Sequence, residues 1–225
     1  MAQHNAQEPE ALGEAMNKTE LFFEKNGRKF SYIFIALLIL AGLIYGYRAL
    51  IMQPRVEAAA EMMVGAQENF EQKQYEAALN GDEAAAGFMA IIDQYGSTPS
   101  GNLARHYAGI CFMQLGQLDE AENYLAQFSE VDGIPGQMIN AQNYGLQGDI
   151  AVEKDDYKQA VKLYKKAIEA ADNHFTTPMY LRKAGLAEMA AGNKEAAKEL
   201  FQQVLDYYGQ SADAQEVIKL IGTIQ

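Results

Sequence analysis

Cysteine occurs once and histidine three times in these 225 residues, and basic side chains are scarce, with 18 Lys and Arg against 30 Asp and Glu. A single thiol, Cys111, excludes an internal disulfide. It lies in an apolar helical stretch with no basic neighbour in sequence, which reads as a small buried hydrophobe and not a reactive thiolate. His4, His106 and His174 have no ligand spacing among them, and no His-Glu-x-x-His run exists. Gly133-Ile134-Pro135-Gly136 lacks the Lys-Ser/Thr pair of a phosphate cradle. The acidic groups Asp119-Glu120-Ala121-Glu122 and Glu153-Lys154-Asp155-Asp156 lack a calcium-loop pattern and read as solvated helix ends and turns. Nothing here asks for catalysis, a metal, a cofactor or a small-molecule substrate. From Val56 onward 12 basic residues face 25 acidic ones, a charge of about −13. That charge repels phosphate backbones and anionic lipid heads, so nucleic acid is excluded as a partner and the domain is expected to stand off the bilayer surface.

One long stretch also lacks charge altogether. The 18 residues from Phe30 to Tyr47 carry none, between Lys29 and Arg48. As a helix they extend about 27 Å at roughly 1.5 Å per residue, close to the ~30 Å hydrocarbon core of a bilayer. Ile33 to Leu40 is apolar all round, unlike a core helix. A cleaved signal would end in small residues, whereas this run leads into Ile44-Tyr45-Gly46-Tyr47-Arg48. The expected anchor is 30–52, with Arg48 snorkelling, Leu38 and Ile39 at its middle, and Phe30, Tyr32, Tyr45 and Tyr47 near its two ends. Lys18, Lys25, Arg28 and Lys29 before it outnumber Arg48 and Arg55 after it. This places residues 1–29 in the cytoplasm and the large domain, 53–225, beyond the membrane. The low hydrophobicity of Met1 to Asn17 predicts a tail that is partly disordered.

Beyond the anchor the sequence repeats itself. Gly109, Gly148 and Gly185 are each followed twelve residues later by Ala121, Ala160 and Ala197, and four residues further on by Leu125, Tyr164 and Phe201. Small residues let two antiparallel helices approach, and the large residue one turn later fills the space beside the contact. Turns at Leu115-Gly116-Gln117-Leu118, Lys154-Asp155-Asp156-Tyr157 and Ala191-Gly192-Asn193-Lys194 separate the paired patterns. The expected fold is all-α, with seven or eight helices in a solenoid of helical hairpins. A degenerate hairpin over 56–96 leads it, with Val56 to Asn80 helical and Asp82 capping a helix that reaches Tyr95. Repeats at about 102–131, 141–171 and 178–208 follow, and a capping helix at 211–222 closes it. The segments 132–136 and 173–178 are expected to be short ordered loops.

Gly148, Tyr157, Ala160, Tyr164 and Ala167 fall on the positions of the tetratricopeptide repeat, which this pattern resembles. The first-helix tryptophan of that repeat is missing, and Asp155 stands where its turn glycine is usual. In such a stack the first helices line a groove. The register points His106, Ile110 and Met113, then Asp149 and Val152, then Arg182, Leu186 and Met189 toward it. The alternative for these residues is ordinary packing between repeats or against the capping helix. The full arrangement, with Phe23-Glu24-Lys25-Asn26-Gly27-Arg28 before the anchor and Gly87-Phe88 and Ile91 to Tyr95 in the first hairpin, resembles the YfgM family of ancillary subunits of the bacterial Sec translocon. That resemblance implies a single-pass protein of the bacterial inner membrane with a periplasmic domain. Its implied partners are translocon subunits, an envelope chaperone or prolyl isomerase, and emerging exported chains. The alternative is a structural adaptor of another envelope complex, such as outer-membrane assembly or cell-wall machinery.

Overall fold

The computed structural model describes residues 7–224, with side chains from Lys25 onward. The chain divides into two units, Met1–Pro54 and Arg55–Gln225.

In the first unit, helix α1 (Gln7–Tyr47) passes into a π-helical stretch, Arg48–Met52. Its apolar residues are exposed on every side: Phe30 is 39% exposed, Leu38 56%, Ile39 59%, Tyr47 56% and Tyr32 71%. None of this apolar window is buried, and among the described residues it belongs to the one helix long and apolar enough to cross a membrane. The tail departs from expectation. Helix runs from Gln7 through Asn17, where low hydrophobicity predicts disorder, while Met1–Ala6 lie outside the described residues. Glu, Ala, Leu and Met make up most of this stretch, and extending a helix already nucleated by the apolar run adds one hydrogen bond per residue fixed.

The second unit is all-helical among the described residues, apart from one isolated bridge between Gly81 and Ala86. Its helices are α2 (Gln53–Glu71, beginning just before the boundary), α3 (Tyr75–Asn80), α4 (Phe88–Tyr95), α5 (Pro99–Gln114), α6 (Leu118–Ala126), α7 (Ile134–Glu153), α8 (Tyr157–Ala170), α9 (Thr177–Ala190), α10 (Lys194–Tyr208) and α11 (Ala212–Thr223). Among the described residues ten helices thus stand where the pattern counts seven or eight. Antiparallel hairpins form from α5–α6, α7–α8 and α9–α10, each packed on the next, and α11 lies against α9 and α10.

Why the hairpins close is visible at three glycines. An added Cβ on Gly109 would lie 2.5 Å from Leu125 Cγ, and one on Gly148 would lie 2.6 Å from Tyr164 Cε1. At Gly185 it would run into the Phe201 ring. Ala121, Ala160 and Ala197 are fully buried beside these contacts. The turns share one geometry as well. A single residue in the left-handed region ends each first helix: Gly116 (φ 76°), Asp155 (φ 58°) and Gly192 (φ 83°). The following amide reaches back to Phe112, Ala151 and Glu188 at 2.8–2.9 Å, the bond of a Schellman cap.

The same turn appears a fourth time, where the sequence pattern is hidden. Lys73 (φ 61°) ends α2, and Gln74 N bonds Asn69 O at 2.9 Å. Ala66 and Ala78, twelve residues apart and both fully buried, stand where Gly109 and Ala121 stand in the next hairpin. The second helix of this leading hairpin is interrupted. Asp82 does not cap a helix to Tyr95 as expected. Its Oδ1 accepts from the amides of Ala84 and Ala85 at 2.8 Å, closing a tight loop that Asn69 Nδ2 fixes through Oδ2 at 2.9 Å. Helix resumes only at Phe88, which with Ile91 supplies the large buried residues. Two further boundaries move. Ile134, Pro135 and Gly136 open α7 instead of forming a loop, and Thr177-Pro178 opens α9, because proline at the first turn forgoes a hydrogen bond it could not make anyway.

Two apolar cores run along the stack. One joins α2 to α6 and takes in Ile150, and the other joins α7 to α11. Cys111 is fully buried in the first, and burial pushes its thiol up to about 12. Between α5–α6 and α7 lies a polar seam. Asn140 Nδ2 and Oδ1 pair with the carbonyl and amide of Val131 at 3.1 and 3.0 Å, and Asn102 does the same for Ser129 at 2.7 and 2.8 Å.

Candidate partner-binding face

The first helices α5, α7 and α9 place the eight groove residues expected from register in three kinds of environment. His106 is the correction. It is 2% exposed, and its Nε2 lies 3.2 Å from Gln142 Oε1 while Nδ1 lies 3.2 Å from Asn143 Nδ2. The Phe128 ring, just past the end of α6, packs 5.6 Å from it. His106 therefore stitches two hairpins together and does not face a groove. Desolvation lowers its pKa to about 4, with the Gln142 bond opposing.

Asp149 and Arg182 keep partial exposure but are engaged. Asp149 Oδ1 accepts from Tyr164 OH at 2.7 Å and from Lys183 Nζ at 2.8 Å, and Lys183 stands 5.8 Å over the Tyr164 ring. Burial first, and then the Asp149 bond, raise the Tyr164 phenol well above its usual range. Arg182 Nε bonds Asp213 Oδ1 at 2.6 Å, tying α9 to the start of α11. The Tyr164 bond lies within one hairpin, and the Lys183 and Asp213 contacts join it to the next repeat and that repeat to the capping helix. An ion pair of this exposure is a modest contributor to stability, so its main effect is to fix which charges remain free on this face.

The apolar members behave differently. Ile110 and Met113 on α5, Val152 on α7, and Leu186 and Met189 on α9 are each half-buried, with Met113 packed on the first core and Val152, Leu186 and Met189 on the second. One side of each side chain supports the stack and the other meets solvent. Register reasoning missed Leu103, Tyr107, Leu146 and Met179, which are half-buried apolar residues of the same three helices. Their signal was available, since they continue the three- and four-residue spacing of the residues named. Phe30, Tyr32, Leu38, Ile39 and Tyr47, the residues expected to form an anchor, belong to the other unit. Among the described residues no three His, Cys, Asp or Glu side chains gather as metal ligands would.

Such an arrangement offers a partly apolar surface on parallel first helices, and comparison with known proteins agrees with that class. Residues 141–174 and residues 180–211 each match the tetratricopeptide repeat. Comparison with curated protein sequences gives no match. Among solved structures, the chain is similar to BtubC (BKLC) from P. vanneervenii, at 14% identity and a TM-score of 0.55, over 97% of this chain and 85% of that one. It is also similar to MamA protein, at 15% identity and a TM-score of 0.54, over 84% of this chain and 90% of that one. At these identities the likeness is one of fold alone. The fold is an all-α, tetratricopeptide-like helical solenoid, a class of protein-interaction scaffold. More particularly, the matched repeats are α7–α8 and α9–α10, in a chain that also carries a membrane-length helix.

Proposed function

We propose that the protein is a single-pass scaffold of the bacterial inner membrane that binds other polypeptides through the first-helix face of its repeats, beside the Sec translocon and together with envelope chaperones or prolyl isomerases. The observation that carries this reading is the pairing of an uncovered apolar helix with a solenoid whose first helices expose Ile110, Met113, Val152, Leu186 and Met189 in part. Met113 and Met189 are flexible and polarizable, which suits a surface that accepts varied extended chains. The basic residues Lys18, Lys25, Arg28 and Lys29 favour a cytoplasmic N-terminus and a periplasmic repeat domain, 55–225. The resemblance to the YfgM family supports the translocon as the site of action. Protein binding and no reaction of its own is the role that a repeat scaffold implies.

A photo-crosslinker at Leu38 or Ile39 tests the location, and one at Ile110 tests the face. Adducts from the anchor to a channel subunit, with adducts from Ile110 to exported chains or chaperones, are expected. Anchor adducts made exclusively with other envelope proteins would replace the translocon by another envelope machine. A silent Ile110 probe alongside productive anchor adducts would remove the binding face.

A further inference from the structure

Large exposed apolar side chains are few in the repeat unit, and they are not scattered. Those exposed are Val64, Val131, Ile134, Met138, Phe175, Tyr207 and Ile218, with Phe175 at 88%, Ile134 at 80% and Tyr207 at 72%. Val131, Ile134, Met138, Phe175 and Tyr207 all lie on one edge of the stack, the edge where second helices end and the next first helices begin. Contacts run along it from end to end. Arg55 donates to Gln94 O at 2.5 Å, Arg105 to Gly96 O at 2.8 Å, Asn102 to Ser129 O at 2.7 Å, and Tyr208 OH to Asp172 Oδ1 at 3.0 Å. Met138 meets Asn173 between the last two of these. The opposite edge consists of the turns around Gly116, Asp155 and Gly192 and carries none of the large exposed apolar residues.

The same edge receives the chain from its apolar helix. Arg55 opens the repeat unit and sits at this edge, its guanidinium 5.4 Å over the Tyr95 ring, three residues after Met52. The chain therefore enters the repeat unit at this edge. Single apolar prongs at loop tips and helix ends do not make a groove for a peptide. They suit the headgroup region, where Phe, Tyr and Ile each bury an apolar body without needing a shaped partner.

We propose that this edge rests in the interface of an uncharged, zwitterionic bilayer, with Ile134 and Phe175 as its leading prongs and Val131, Met138 and Tyr207 behind them. The proposal depends on residues 30–52 spanning the membrane, and it departs from the expectation that an acidic domain stands off the surface. Charge decides which lipids are accepted. Glu130, Asp132 and Asp172 lie in the loops that carry the prongs and disfavour anionic headgroups there, while the cations of this edge, Arg55 and Arg105, sit at its other end on the carbonyls of Gln94 and Gly96; over neutral headgroups the repulsion is absent and distant charges are screened within about 8 Å.

Because the protein has no tryptophan, one introduced indole reports its own surroundings. Full-length Phe175→Trp, Ile134→Trp, Gln117→Trp and Leu38→Trp are reconstituted in zwitterionic nanodiscs, with and without phospholipids brominated high on the acyl chain. Phe175→Trp and Ile134→Trp should emit at shorter wavelength than Gln117→Trp on the opposite edge and lose roughly half of their emission to the brominated lipid. Adding anionic lipid should reduce that loss. If Leu38→Trp is quenched while Phe175→Trp and Ile134→Trp track Gln117→Trp, the edge proposal is overturned and the anchor stands. An unquenched Leu38→Trp overturns both. A blue shift that follows the number of chains per disc and ignores bromination identifies a second copy as the occupant and also overturns the proposal.

Discussion

Acid should loosen the seam between the α5–α6 and α7–α8 hairpins through His106. The ring is fully enclosed by two amides and two aromatic rings, Gln142, Asn143, Tyr107 and Phe128. Asn143 Oδ1 already accepts from Gln147 Nε2 at 2.7 Å, so its Nδ2 faces His106 Nδ1 as a donor and the imidazole proton is assigned to Nε2. A second proton would set an N–H against an N–H in a buried site. Burial accordingly lowers the folded pKa from 6.5 to about 4. The unfolded chain therefore takes up the proton first, and stability present above pH 6.5 is lost as pH falls toward 4. At pH 5 that loss is about 2 kcal/mol, from roughly 1.4 kcal/mol per pKa unit. Urea unfolding of residues 55–225 at pH 7 and pH 5 reads it, with His106→Gln as the comparison that removes the titrating ring and leaves the carboxylates in place. The native protein should lose about 2 kcal/mol more than the variant over this interval. Equal losses in the two proteins would refute the buried-neutral reading of His106.

Two substitutions test the hairpin geometry by the same unfolding measurement. Gly148→Ala pushes a methyl group into the Tyr164 ring and should cost about 1–3 kcal/mol, so an unchanged midpoint would contradict the close helix crossing. In a Tyr157→Phe background, which already lacks the exposed bond to Asp155 Oδ1, Asp155→Gly relieves a left-handed backbone and should gain about 0.5–1 kcal/mol, whereas a loss would mean that the turn is not strained.

What could be read from the sequence was whatever repeats at fixed spacing inside one hairpin. Gly148, Ala160 and Tyr164 touch because a helix, a short turn and a returning helix leave them no other neighbours, so their order along the chain predicts their contact. The all-α fold followed from that. The leading hairpin was harder, because the Asp82 loop inserts between Ala78 and Phe88 and breaks the interval on which the pattern depends. The start of α7 at Ile134 lies seven residues before the repeat expected from 141, because Pro135 suits a loop and a first helical turn equally, whereas α9 begins at Thr177, next to the expected 178. The face residues show a different limit. Register fixes which side of α5 His106 occupies, but whether that side is open depends on how closely α7 approaches, and Gln142 and Asn143 close it. For Ile110, Met113, Val152, Leu186 and Met189 no such partner arrives, and they stay half-exposed.

In the proposed arrangement Phe30 to Met52 holds the chain in a bilayer, and the repeats fold on their own from Arg55 onward. Alkaline carbonate extraction of membranes carrying either the full chain or residues 55–225 tests it most directly. The full chain should stay with the pelleted membranes until detergent is added, while the shorter chain is recovered in the supernatant with the circular dichroism of a helical protein. Release of the full chain by carbonate alone, or a shorter chain without helix, would contradict the account.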